Sequence, residues 1–367
     1  MGWGGLGWKN LVRVSDMPGK VGIMMSSFVP GLQLSRDFYL RVVQPIVADV
    51  PHSAALVGPG SEVLDFDTER STDHDWGPRV VLFVAPEAAG RVREAVAGGL
   101  PETFGGYRVL CGVAGGTEVA GAAAWFEERL GFDPLGPITV LDWLAAPWQR
   151  LAEVTCGEVF HDGLGVMARV RGALRWYPVD LERYVLACQW RRVAQREAFV
   201  GRCGEVGDDL GSALVTADLA GDLMRLVLLM RRRYPPYAKW VGSAFARLSG
   251  TAELGEALSC AVAAGDRRAR EHHLGRVYER VAGLHNRLGL TAPLETATRG
   301  FYDRPFQVIG AQRFADALGA AIVDPRIREL PPAGSVDQFG DSTDLLVHPG
   351  RCRAAARAVL GLRAVTF

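Results

Sequence analysis

The sequence predicts an α+β fold in which a mixed sheet with flanking helices is followed by a mostly helical C-terminal region. Two short apolar runs, 54–57 and 80–84, have the length and bounding residues of buried strands. Helix-like and strand-like patterns alternate around them. From Tyr177 onward the apolar spacing is almost entirely helical, so we place a boundary near Trp176.

The length of 367 residues is sufficient for two domains with cores of their own. Residues 1–27 are rich in Gly and Trp and are expected to be either a disordered tail or a misassigned start. The predicted domains are a sheet domain over 28–176 and a helical domain over 177–367.

The predicted elements of the sheet domain follow one another in a regular order. They are a helix over 28–50, a strand over 54–57, a short helix after Ser61, a strand running from Asp73 to Val84, a helix over 87–97, a strand over 107–113, a segment opened by Glu118 that passes into a helix over 125–130, a helix from Thr139 to about Val154, and a hairpin of 158–162 and 166–170. Pro51 ends the first helix, and the Thr139-x-x-Asp142 pattern resembles a capping box. The later helices are predicted over 180–200, 208–232, 236–248, 251–264, 267–288 and 311–322.

The composition favours a small-molecule substrate. Lysine plus arginine and aspartate plus glutamate are equal at 41 each, so the net charge indicates no extended nucleic-acid or anionic-membrane surface. The six cysteines are scattered without a CxxC pair, which supports neither a zinc ribbon nor a disulfide framework. The sequence shows no signal pattern and no apolar run of membrane-spanning length. We therefore expect a cytoplasmic protein with reduced thiols and no membrane partner.

The stretch 56–84 holds the residues best suited to chemistry. A Gly60-Ser61 pair follows the first predicted strand, and Asp73-x-Asp75 comes about a dozen residues later. In an extended chain Asp73 and Asp75 point to the same face, where two carboxylates repel each other unless a cation neutralises them. Such oxygen ligands suit Mg²⁺, and a Gly-Ser turn offers N–H groups and a hydroxyl to a phosphate. The alternative is an Asp-rich turn before a buried strand, with Ser61 as a helix N-cap.

This order and spacing resemble the active-site signature of the nucleotidyltransferase fold, shared by DNA polymerase β-like enzymes and aminoglycoside nucleotidyltransferases. The resemblance implies a nucleotidyltransferase-like mixed sheet with flanking helices. It also implies that Gly60 and Ser61 hold the triphosphate of a nucleoside triphosphate, and that Asp73 and Asp75 hold Mg²⁺. ATP is the expected donor by family analogy.

The layout resembles kanamycin nucleotidyltransferase-like enzymes most closely, and this implies two further carboxylates. Glu118, in Thr117-Glu118-Val119, corresponds to a third metal ligand; the alternative is a solvated Glu at a helix start. Glu182 corresponds to the general base, or is an ordinary helix Glu paired with an arginine. Asp162 is the alternative base, or a hairpin turn residue.

Three cations are candidates for contact with a triphosphate. Lys239 lies between Tyr237 and Trp240, and Arg70 and Arg79 flank the predicted carboxylates. For each, a structural ion pair or a side chain lying along an apolar surface is the alternative.

From about Phe28 to Asp344 the chain also resembles an uncharacterised bacterial family, described only as a domain of unknown function with nucleotidyltransferase-like ancestry. The later segments that carry this resemblance are 207–212, 237–240, 285–286, 304–306 and 338–342. It implies no particular substrate.

Together these patterns predict a Mg²⁺-dependent nucleotidyltransferase that moves an adenylyl group to a hydroxyl of a small-molecule acceptor and releases pyrophosphate. Two other classes stay open. One is a non-catalytic nucleotide-binding or regulatory protein that retains the fold. The other is a metal-dependent phosphohydrolase. The His74-Asp75 and His161-Asp162 pairs resemble the His-Asp pair of such enzymes, but in that all-helical fold the pair lies on a helix, whereas both pairs here lie next to strand patterns. The acceptor and the oligomeric state have no signature in the sequence.

Overall fold

A computed structural model describes residues 28–73, 76–112 and 116–362, with Asp73 described by its backbone alone. The predicted tail over 1–27 lies outside the described residues. Within the described part, the α+β class and the mostly helical C-terminal region are confirmed.

A four-stranded mixed sheet organises the N-terminal half. The strands of the described part are β1 (His52–Leu56), β2 (Val80–Val84), β3 (Thr103–Phe104), β4 (Tyr107–Arg108), β5 (Thr117–Ala120), β6 (Glu158–Asp162), β7 (Arg299–Phe301) and β8 (Arg304–Val308). The sheet has the order β5-β2-β1-β6, and β3-β4 and β7-β8 form separate two-stranded sheets. β1 is antiparallel to β2 and β6, and β2 is parallel to β5.

Helices account for most of the remaining chain. They are α1 (Gly31–Phe38), α2 (Gln44–Ile46), α3 (Ala89–Gly99), α4 (Ala122–Leu130), α5 (Val140–Ala145), α6 (Trp148–Thr155), α7 (Val166–Ala173), α8 (Val179–Arg196), α9 (Phe199–Glu205), α10 (Asp209–Met230), α11 (Ala238–Ala246), α12 (Ala252–Ala263), α13 (Arg267–Arg287), α14 (Gln312–Ala320), α15 (Pro325–Arg328), α16 (Val336–Phe339), α17 (Thr343–Leu346) and α18 (Pro349–Val359). A π-helical stretch, Tyr39–Val43, joins α1 to α2. Among the described helices, none has the length and apolar character needed to cross a bilayer.

Both faces of the sheet are covered, as the alternation of side chains along β2 demonstrates. Val81 and Phe83 belong to the large hydrophobic cluster that continues into the C-terminal helices. Leu82 and Val84 belong to a smaller cluster under α1 and α3. Since successive strand residues point to opposite faces, a strand buried on both faces is apolar throughout. This explains why an unbroken apolar run predicted β2.

Local signals account for several helix boundaries. The capping box at Thr139 is confirmed, because Thr139 Oγ1 accepts the Asp142 N–H at 3.2 Å and Asp142 Oδ2 accepts the Thr139 N–H at 2.8 Å. The predicted helix from Thr139 is nevertheless two helices, α5 and α6. Pro147 occupies the N-cap of α6 and separates them.

Two predicted strand elements are wrong in part. The second half of the predicted hairpin, 166–170, is the helix α7, because the Asp162 carboxylate accepts backbone N–H groups at its start, from Met167 at 3.1 Å and Ala168 at 2.9 Å. β6 pairs with β1 instead. The predicted strand over 107–113 shortens to β4, which pairs with β3 across Gly105-Gly106, where both glycines have positive φ.

Candidate functional site

Four segments meet at one edge of the sheet. The residue pairs that define this edge are Ala55 with Val81, Val80 with Thr117, and Leu56 with Glu158. Given the strand directions, the end of β1 and the starts of β2, β5 and β6 therefore lie side by side. We call this region, residues 57–61, 76–79, 117–118 and 156–157, the turn edge.

The Gly-Ser turn at this edge has a backbone that requires glycine. Gly60 has φ of 140°, a conformation that side chains disfavour, and a Cβ on it would collide with Arg79 and Glu62. Ser61 occupies the N-cap position of the 3-10 turn Glu62–Leu64, yet its side chain makes no capping hydrogen bond there. The hydroxyl of Ser61 is therefore not engaged in the capping role that was its alternative interpretation.

A buried ion pair between Arg79 and Glu62 stabilises the Gly-Ser turn. The Arg79 guanidinium lies 2.5 Å from Glu62 Oε1, and the two side chains are 5% and 3% exposed. The same guanidinium donates to the carbonyls of Pro59 and Val57. Because all three partners belong to the turn or its start, Arg79 holds the turn against β2. Of the two interpretations of Arg79, the contacts therefore match the structural ion pair.

Glu118 lies on β5 beside the turn. Its Oε2 accepts from Arg129 at 2.8 Å and from the Trp125 indole at 3.0 Å, and Arg129 stacks over the Trp125 ring. The Trp125 ring is also about 3.5 Å from the position that a Cβ on Gly58 would take. Within the described part of the chain, Glu118 Oε1 accepts no hydrogen bond. The structure thus links Glu118 through Trp125 to Gly58, two residues before Gly60, and one of its carboxylate oxygens has no donor among the described residues.

The predicted aspartates are only partly described. Asp73 ends the 3-10 turn Glu69–Asp73, and β2 begins at Val80, so the prediction that this strand opens at Asp73 is wrong. The side chain of Asp73 and all of Asp75 lie outside the described residues, and their shared face stays a prediction. No group of three His, Cys, Asp or Glu side chains arranged to hold a metal occurs in the described part. Arg70 is an exposed residue of the same 3-10 turn.

Lys239 is also brought near the turn, through an aromatic pair. Trp240 stacks on Phe66, with ring centroids 5.0 Å apart, and Phe66 directly follows the turn. Lys239 Nζ lies 4.7 Å from the centre of the Trp240 ring. On the other side of the pair, Arg247 lies over Phe66 and bonds Asp65 at 3.2 Å. The start of α11 therefore packs on the segment that follows Ser61.

The two candidate bases are both engaged in hydrogen bonds. Glu182 is buried on α8, and its two oxygens accept from Nε and an Nη of Arg232, each at 2.9 Å. Burial alone would raise the pKa of the Asp162 carboxyl, but the hydrogen bonds from Ser53 and from backbone N–H groups at the start of α7 outweigh it and lower that pKa. The arginine-paired interpretation of Glu182 thus matches its contacts, and Asp162 acts as a helix cap.

Sequence reasoning missed a cluster of arginines. Arg171, Arg175 and the run Arg231-Arg232-Arg233 line one cavity. The run is visible in the sequence at the end of α10, but nothing in the spacing indicates that it faces α7. Only the contact between the segments that follow α7 and α10, where the Tyr234 hydroxyl donates to the Leu174 carbonyl at 2.9 Å, reveals the cluster.

Comparison with known proteins adds one finding. Residues 143–241 match the family model described as Domain of unknown function (DUF4037). No curated protein and no solved structure matches the chain. The matched stretch runs from α5 into α11 and contains Glu182, Lys239 and all five arginines of the cavity. Over these residues the chain is therefore similar to an uncharacterised domain family, and kinship with nucleotidyltransferases stays a prediction.

Proposed function

We propose that this protein is a Mg²⁺-dependent nucleotidyltransferase that transfers a nucleotidyl group, by default adenylyl from ATP, to a hydroxyl of a small-molecule acceptor. The observation that carries the proposal is the convergence at the turn edge. Three segments distant in the sequence, the Gly60-Ser61 turn, the approach to β2 that follows Asp75, and Glu118, lie next to one another there. These are the segments that the resemblance assigns to triphosphate and metal.

The residues of the turn edge have the chemistry for this role. The exposed side of the turn offers backbone N–H groups and the Ser61 hydroxyl to phosphate oxygens. Asp73, Asp75 and Glu118 would hold Mg²⁺, and the free Oε1 of Glu118 fits an oxygen-ligand set. When bound, the ion would supply positive charge that neutralises the phosphates as the acceptor hydroxyl displaces pyrophosphate. Lys239 adds a mobile positive charge beside the turn.

The proton acceptor is a separate question. Each oxygen of Glu182 and Asp162 already accepts a hydrogen bond from within the described residues. Glu182 as the base stays a prediction, and it requires that the carboxylate leave Arg232. The alternative is that Glu182 positions Arg232.

Equilibrium binding of ATP, measured with and without Mg²⁺, together with pyrophosphate release, tests the proposal. We expect Mg²⁺ to tighten ATP binding by at least about tenfold, since the ion would neutralise the repulsion between the phosphates and the carboxylates. We also expect Ser61→Ala to weaken ATP binding. ATP binding of equal strength with and without Mg²⁺, together with no release of pyrophosphate, would refute the proposed activity.

One observation favours a second candidate, nucleotide binding without catalysis. Arg129 already neutralises Glu118 at 2.8 Å, so this carboxylate needs no metal for its own stability. This candidate predicts ATP binding of equal strength with and without Mg²⁺. A Glu118→Gln variant distinguishes the two, because it reduces Mg²⁺-dependent affinity only if Glu118 ligates the ion.

A further inference from the structure

The arginine-lined cavity is a concave site that the proposed activity leaves unused. Its volume is about 830 Å³, within the range of small-molecule sites. Five guanidinium groups line it, from Arg171, Arg175, Arg231, Arg232 and Arg233. We call this cavity the arginine basin.

Most of the positive charge in the basin has no counter-charge among the described residues. Arg232 pairs with Glu182. Arg175, Arg231 and Arg233 form no salt bridge and no side-chain hydrogen bond with another described residue. Arg171 donates to the neutral Cys156 carbonyl and has the carboxylates of Glu158 and Asp162 nearby. Burial raises the pKa of the Cys156 thiol despite Arg233 and Arg171, so the thiol stays neutral at pH 7 and supplies no negative charge.

Two buried donors in the wall of the basin also lack partners. Arg171 Nε and Trp176 Nε1 are inaccessible to solvent and have no hydrogen-bond acceptor within the described residues. An unsatisfied buried donor costs about 1–3 kcal/mol, so such groups are normally matched by a water or a ligand. The guanidinium forks that line the cavity suit an oxyanion with several acceptor oxygens.

Helix ends alone do not explain the cluster. The C-terminal ends of α7 and α10 both favour nearby cations through the helix dipole. That effect accounts for arginines at each end separately, but it does not require the two ends to face one cavity. Arg232, with φ of 54°, is the left-handed residue that ends α10, since the N–H groups of Arg233 and Arg232 bond the carbonyls of Leu228 and Leu229. Glu182 fixes its side chain there.

The basin adjoins the turn edge. Cys156 lines the basin, and its neighbour Gly157 donates its N–H to Val63 at 2.9 Å, within the 3-10 turn that follows Ser61. Adjacent residues are about 3.8 Å apart at Cα. The basin and the Gly-Ser turn thus lie side by side, so a triphosphate at Ser61 would leave the basin to another group.

From this geometry we infer that the arginine basin binds a phosphate group, and that this phosphate belongs to the acceptor. The acceptor is then a phosphorylated small molecule whose free hydroxyl points toward the turn edge. The assignment of this phosphate to the acceptor rests on the proposed function, whereas phosphate binding in the arginine basin does not.

Calorimetric titration of inorganic phosphate into the full-length protein, at constant ionic strength set with NaCl, tests the site. Each lost charge-assisted hydrogen bond is worth about a tenfold change in affinity, so Arg175→Gln/Arg233→Gln is expected to raise the phosphate Kd by about tenfold or more. The matched control is Arg91→Gln/Arg276→Gln, which removes two exposed arginines without described partners on α3 and α13. It should change the Kd by less than about twofold. Equal affinity of the two double variants for inorganic phosphate would overturn the site. Phosphate binding that Ser61→Ala abolishes, and that neither double variant weakens, would also overturn it.

A competition arm identifies the source of the phosphate. If the basin holds the acceptor, saturating ATP leaves the affinity for inorganic phosphate unchanged, and the arginine double variant keeps the affinity for ATP. Displacement of phosphate by ATP would place the donor's triphosphate in the basin and overturn the assignment to the acceptor. Intact phosphate binding in a protein that never releases pyrophosphate would refute the proposed transferase activity and leave the phosphate site standing.

Discussion

Replacement of Arg79 by methionine tests whether the ion pair beneath the Gly-Ser turn holds this part of the protein together. Methionine preserves much of the side-chain volume but removes the positive charge and the donors. Glu62, whose side chain is 3% exposed, would keep a charge without a partner. The carbonyls of Pro59 and Val57 would lose their donors at the same time.

The expected loss follows from this burial. Removing one partner of a buried ion pair costs about 3–5 kcal/mol in the free energy of unfolding, because the remaining charge stays uncompensated. The double variant Glu62→Gln/Arg79→Met leaves no such charge, so it should be more stable than Arg79→Met by about 2 kcal/mol or more. Arg91→Met, at an exposed site on α3, should change stability by less than about 0.5 kcal/mol.

Urea denaturation followed by tryptophan fluorescence measures these differences. The reasoning fails if Arg79→Met is within about 1 kcal/mol of the wild type. It also fails if the double variant is less stable than Arg79→Met, since the turn would then depend on something other than charge compensation.

Three further substitutions test other parts of the structure. Gly60→Ala should destabilise the protein by at least about 1 kcal/mol in urea denaturation, because φ of 140° disfavours a side chain and the Cβ meets the buried ion pair; a neutral effect would contradict this. Glu182→Gln should lower the rate of pyrophosphate release at saturating ATP and acceptor by about 10²–10⁴-fold if Glu182 is the base. A role in positioning Arg232 instead predicts weaker phosphate binding and a smaller change in that rate. Burial raises the pKa of Asp337 from 3.8 to about 7, so the folded protein retains a proton that the unfolded chain releases, and stability falls as pH rises toward 7. Asp337→Asn, which can still accept the Trp148 N–H, should therefore raise the melting temperature more at pH 8 than at pH 5; an equal rise at both would contradict the shifted pKa.

Periodicity was sufficient to predict the helical half of the molecule. The helices α8 and α10 to α14 lie within a few residues of the predicted ranges, because each has a buried stripe at helical spacing. The predicted helix over 180–200 ends at Arg196, and α9 follows after a break. No breaker residue marks that position, so the sequence contains no signal for it.

The errors arose where tertiary contacts decide the local structure. Residues 166–170 have an apolar pattern short enough for a strand, but Asp162 caps them as a helix. β2 begins at Val80 because its pairing partners are available only from there: β5 begins at Thr117, opposite Val80, and the antiparallel β1 ends at Leu56. Strand limits of this kind depend on partners that a single sequence does not identify.

The motif residues of the candidate site could be predicted from the sequence, but their contacts could not. Gly60 and Ser61 were recognisable from spacing, and Trp125, which donates to Glu118, lies next to Gly58 just before them. The partners were not recognisable, because Arg129 lies on a different element from Glu118, and Arg232 is fifty residues from Glu182. Side chains brought together by folding leave no pattern in a single chain.

Pyrophosphate release from ATP, with Mg²⁺ and a panel of phosphorylated small molecules as acceptors, tests the central claim most directly when Asp75→Asn is compared with the wild type. The proposed activity predicts Mg²⁺-dependent release by the wild type and release at the uncatalysed background by a folded Asp75→Asn protein. Asp218→Asn, at an exposed site on α10, should retain the wild-type rate. Equal release by Asp75→Asn and the wild type, or no Mg²⁺-dependent release by the wild type, would contradict the account.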